Sequence, residues 1–103
     1  MSNGEAGARI LFEVSTPRAV ALLCSLAEAC NRKKVAWACF FTNDGVQCLD
    51  EPAVETIVAT AAAAVACEFS WEHYMGGRDC PVESGSQTHN SRLLGDVERV
   101  ISL

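Results

Sequence analysis

The residues with chemistry in them crowd into one stretch, Val65 to Cys80, which reads Val-Ala-Cys-Glu-Phe-Ser-Trp-Glu-His-Tyr-Met-Gly-Gly-Arg-Asp-Cys. It brings two thiols, Cys67 and Cys80, together with the carboxylates Glu68 and Glu72, the imidazole of His73 and the guanidinium of Arg78. A cysteine reacts as its thiolate, so what matters is which neighbours favour the charged form. Glu68 and Glu72 would raise the pKa of Cys67, whereas a charged His73 or a helix amino terminus would lower it. Cys80 has Arg78 two residues before it and Pro81 after it. A second imidazole, His89, follows nine residues later and could serve as the base or cation that helps ionise a thiol. The plainer reading of both histidines is a loop side chain held by hydrogen bonds or solvent.

The chain has six cysteines, at positions 24, 30, 39, 48, 67 and 80. None is spaced Cys-x-x-Cys, so neither a zinc ribbon nor a thioredoxin motif is present. A Cys67, His73, Cys80, His89 metal set has gaps of six, seven and nine residues, which do not match compact zinc spacings. No metal and no cofactor is therefore expected. Cys24 and Cys30 fit a helix's buried stripe and Cys39 a central strand, positions where thiols are inert. Cys48, beyond a turn, is expected to be more exposed.

These groups need a scaffold, and the upstream chain supplies its signals. Arg9 to Val14 is an apolar, β-prone first strand. Ser15-Thr16-Pro17 opens a helix with a hydroxyl cap and a proline at its first position. Val20, Leu23, Leu26, Ala27 and Cys30 then recur at helical spacing. Val35 to Phe41 is continuously apolar, as in a central strand covered on both faces. Thr42-Asn43-Asp44-Gly45 breaks it, and Asp50-Glu51-Pro52 starts a second helix expected to run through the alanine block to about Ala64. Val65 to Phe69 is expected as a third strand, which places the reactive stretch around a strand's carboxyl end, where open α/β sheets hold ligands. Residues 81–91 are polar or breaking and read as a loop, with one helical turn near 91–95. Arg99 to Leu103 closes the chain as a strand. Alternating strands and helices give an α/β fold with a mainly parallel sheet of about five strands: residues 9–103 form the domain and 1–8 an amino-terminal tail.

The 103 residues suit one domain, and half of them are apolar, with a mean hydropathy of +0.14. That apolar share is high for so short a chain, and a homo-oligomer is expected to cover part of it. A formal net charge of −5 argues against nucleic acid and anionic membrane surfaces as partners. Residues 57–67 form the longest apolar stretch, too short to span a bilayer, and residues 1–8, small and polar with no hydrophobic core, are not expected to act as a secretory signal. A cytoplasmic location with reduced thiols is the expectation.

The chain resembles the DsrE/DsrF-like family, which includes the TusD-type sulfur relay proteins. Four features carry the resemblance. The layout of Ile10 to Cys30 is the first. The second is Phe41-Thr42-Asn43-Asp44-Gly45-Val46, similar to the family's turn after a strand. Next comes Cys67-Glu68-Phe69-Ser70-Trp71, where relatives carry a cysteine at a strand end, and last the closing Glu98-Arg99-Val100-Ile101-Ser102-Leu103. The family's Arg-Arg-Gly is here His73-Tyr74-Met75-Gly76, one residue longer from cysteine to glycine.

The resemblance implies a persulfide carrier or sulfurtransferase. Cys67 would accept sulfane sulfur from a donor protein and pass it to an acceptor thiol, with Cys80 as the alternative carrier. It also implies a homotrimer or homohexamer. The competing expectation is a non-catalytic binding or regulatory subunit that uses the 67–91 region to hold a partner or small ligand.

Overall fold

The computed structural model describes residues 8–86 and 97–103. Its five strands form one parallel sheet: β1 (Ile10–Val14), β2 (Trp37–Phe41), β3 (Ala63–Cys67), β4 (Glu83–Gly85) and β5 (Arg99–Ser102), in the order β4-β3-β2-β1-β5. Three α-helices join the first four strands, α1 (Val20–Arg32), α2 (Pro52–Val58) and α3 (Glu68–Met75). The α/β class and the five-stranded sheet expected from the sequence are both present.

Strands β1 to β4 follow one another across the sheet in chain order, so right-handed crossovers set their helices on one face. Phe12, Trp37, Cys39, Phe41 and Ala66 point to that face and pack with Leu23 and Ala27 of α1, Val54 and Val58 of α2, and Trp71 and Met75 of α3. Leu11, Ala38, Phe40, Val65 and Cys67 point to the other face and cluster with Ala8. β2 lies in the middle with all five residues buried, as its unbroken apolar run predicts. Ala8, assigned to the expected tail, is buried in the second cluster.

Thr16 caps the short 3-10 turn Pro17–Ala19 that leads into α1, its hydroxyl accepting the Arg18 N–H at 3.3 Å. At the other end of α1, the Trp37 indole donates to Asn31 at 3.0 Å, and the Asn31 amide donates to Thr60 at 3.0 Å. That relay satisfies a buried indole and ties α1 and the end of α2 to the start of β2.

Four local expectations are corrected. The second helix stops at Val58, and Ala63 and Ala64 belong to β3 rather than to a helix. β3 runs beside the aromatic-rich β2, pairing Ala63 with Ala38, Ala64 with Cys39, Val65 with Phe40 and Ala66 with Phe41. Small side chains fit beside those rings, and packing overrides alanine's preference for helix. β3 consequently ends at Cys67, and Phe69 lies on α3, where it is 75% exposed. Cys48 is buried, not exposed: residues 43–50 wind as a 3-10 helix that turns its thiol inward, 3.4 Å from the Thr16 carbonyl. Finally, Glu83–Gly85 in the expected loop forms β4, a short polar edge strand. The turn expected near residues 91–95 lies outside the described residues.

Candidate functional site

Cys67 ends β3 and occupies the position just before α3, with extended backbone angles of φ −62° and ψ 122°. An N-cap side chain faces the free N–H groups of the second and third helical residues, here Phe69 and Ser70. β2 ends beside β3, which brings Thr42 and Asn43 to the same corner. Asn43 takes a left-handed conformation, φ 53°, and its N–H donates to the Ser70 hydroxyl at 2.8 Å. That acceptance leaves the single hydroxyl proton of Ser70 available to Cys67.

The electrostatic outcome separates Cys67 from the other thiols. Burial works to raise its pKa. The hydroxyl of Ser70, the N–H groups of Ser70 and Phe69, and the hydroxyl of Thr42 outweigh burial, so its pKa falls below the ordinary thiol value. The Cys67 side chain closes no cap hydrogen bond in the structure, and the surrounding donors act by favouring its charged form. The amino-terminal end of α3 adds its partial positive charge in the same sense. Cys67 is only 6% exposed, and Ser70, 9% exposed, lies under the same corner.

The other five thiols move the opposite way. Burial pushes up Cys24, Cys30, Cys39, Cys48 and Cys80, with Cys39 fully enclosed at the centre of β2. Cys80 is half-buried and packs against the helix-bearing cluster, whereas Cys67 belongs to the cluster on the other face. Its expected helper, Arg78, turns elsewhere: the guanidinium pairs with Asp50, and the Arg78 carbonyl accepts the Trp71 indole N–H at 2.7 Å. Only the Val82 N–H favours the Cys80 thiolate, and burial outweighs it.

His73 is exposed on the last turn of α3, its ring edge-on to Tyr74 at 4.6 Å, and it is not among the groups that act on Cys67. His89 lies outside the described residues. No set of three or more His, Cys, Asp or Glu side chains stands together as a metal site among the described residues.

The corner that forms is therefore Cys67 with Thr42, Asn43 and Ser70, and the last three are absent from the charge-based reading of the sequence. The sequence carries a serine three residues after the cysteine, but the helix that turns the serine toward it is a finding of the structure. The arrangement can hold a thiolate and present it at the carboxyl edge of a parallel sheet. No protein-family model matches the chain, and no curated protein matches it.

Proposed function

We propose that this chain carries sulfane sulfur as a persulfide on Cys67 and hands it to an acceptor thiol. The observation that supports this reading best is the lowered pKa of Cys67 at the start of α3, against five thiols whose pKa values are raised. In the loading step the Cys67 thiolate attacks the outer sulfur of a donor persulfide, R–S–SH. A new S–S bond forms at Cys67, the donor's S–S bond breaks, and the donor leaves as R–S⁻. In the unloading step an acceptor thiolate attacks the outer sulfur of Cys67–S–SH and restores the Cys67 thiolate. Neither step consumes an external oxidant or reductant. The four donors at the corner stabilise Cys67 each time it is an anion, as nucleophile and as leaving group.

Donor and acceptor are proteins bearing reactive thiols, the setting is the reducing cytoplasm, and the working form is a homo-oligomer, a trimer or hexamer. In the described residues no helix is long and apolar enough to cross a membrane.

A second reading, a binding or regulatory subunit without sulfur transfer, draws support from the 6% exposure of Cys67 beside the 75% exposure of Phe69. Cys67→Ser separates the two. Serine is a better N-cap than cysteine, so the variant stays folded. On the carrier reading it takes up no sulfur from a persulfide donor, while Cys80→Ser loads as the wild type does. Loading that survives in Cys67→Ser and disappears in Cys80→Ser would move the carrier to Cys80. Absence of loading in the wild type would favour the binding subunit.

A further inference from the structure

Two surfaces on opposite edges of the sheet pair an exposed apolar feature with charges of opposite sign. One is the outer face of α3, beside β3 and β4, where Phe69 is 75% exposed and the exposed carboxylates of Glu68 and Glu72 stand one turn apart. The other is an apolar groove of about 190 Å³ between α1 and the β1–β5 edge, lined by Ile10, Phe12, Leu26, Cys30, Val35 and Ile101. Lys33 also lines this groove, and Leu22, one turn before Leu26 on α1, is 52% exposed. A neighbouring cleft that shares Ile10 and Val35 carries Arg9, Glu98 and Arg99. Arg9 is paired with Glu98 at 3.2 Å, while Lys33 and Arg99, like Glu68 and Glu72, form no ion pair among the described residues.

An apolar cavity of about 150 Å³ lined by leucine, isoleucine and phenylalanine holds benzene, so the groove has room for one phenyl ring. Among the described residues a ring flanked by carboxylates and an apolar hole flanked by cations lie at opposite edges of the same sheet. We propose that copies of this chain associate head to tail, with Phe69 of one copy seated in the α1–β5 groove of the next. Glu68 and Glu72 of the first copy then face Lys33 and Arg99 of the second. The interface is heterologous, which closes into a ring when the rotation between copies permits. The inference rests on the self-association in the functional reading above and not on its sulfur chemistry.

Sedimentation equilibrium at micromolar concentration tests it with Phe69→Glu, which removes the ring, and Lys33→Glu, which reverses the charge at the groove. Both side chains are exposed, so neither change disturbs the core. The wild type should sediment well above the 11.0 kDa of one chain, and each variant alone should be monomeric. An equimolar mixture of the two should recover association, because Phe69→Glu keeps its groove and Lys33→Glu keeps its ring. It should stop at about twice the chain mass, because only one sound interface can form. A monomeric wild type would overturn both this arrangement and the proposed self-association. Variants that associate as the wild type does would overturn the arrangement alone, and so would a mixture that stays monomeric.

Discussion

Reactivity in this chain comes down to which thiol is easiest to ionise, and at Cys67 hydrogen-bond donors decide it rather than neighbouring charges. Glu68 and Glu72 are sequence neighbours but do not govern the sulfur, whereas Ser70 and Thr42 reach it from the next helical turn and the next strand. With a small alkylating reagent on native, reduced protein, Cys67 should react first and Cys39 last. The Cys67 rate should reach half its maximum at a pH below the roughly 8.5 of a free cysteine. Ser70→Ala removes one donor and should shift that midpoint upward, while Ser70→Thr keeps the hydroxyl and should hold it near the wild-type value. The alanine variant also strands the Asn43 N–H, at a stability cost of about 1 kcal/mol. An unchanged midpoint in Ser70→Ala would mean that Ser70 does not tune the thiol.

Among the elements, those with strong local signals were legible in the sequence. Thr16-Pro17 and the Leu23, Ala27, Cys30 spacing mark α1, and the run Trp37 to Phe41 marks the central strand. The boundary between α2 and β3 was not legible, because alanine's lack of a side chain suits both states and contacts with β2 decide. Only the first two residues of α3, Glu68 and Phe69, read from sequence as the end of a strand, because the segment opens as a short apolar run. Its helical character rests on Trp71 and Met75, one turn apart and both buried. The site was half legible: Cys67 at a strand end was, but Ser70 was not, since its role depends on Asn43 arriving from β2. The turn that brings Asn43 also has a strict requirement at Gly45. A Cβ there would meet the backbone carbonyl of Val14, at 2.8 Å from its carbon, and Ser15 Cα at 2.9 Å. Gly45→Ala should therefore cost about 1–3 kcal/mol in urea unfolding, against a few tenths for Gly77→Ala, where a Cβ meets nothing. Equal stability for the two variants would contradict the packing of β1 against this turn.

For the molecule as a whole, six thiols on a small α/β domain make stability depend on alkaline pH. Five have folded pKa values raised above the unfolded value by burial. Each contributes stability that is complete below about pH 8.5 and is lost as the pH rises, because the unfolded thiols ionise first. Cys67 has the opposite sign, its contribution growing with pH, but it is one against five. The urea midpoint of the reduced protein should fall above about pH 8.5, and Cys39→Ala should flatten that fall by removing the most deeply enclosed thiol. A midpoint independent of pH in that range would mean that the thiols are not enclosed as described.

The most direct test of the account is to expose native, reduced protein to a persulfide donor and map the adduct by peptide mass spectrometry across all six cysteines. The peptide bearing Cys67, and no other, should gain about 32 Da, one sulfur atom, and lose it when an acceptor thiol is added. Loading on the half-buried Cys24 or Cys80 equal to that on Cys67, or absent from Cys67, would contradict the carrier role of Cys67.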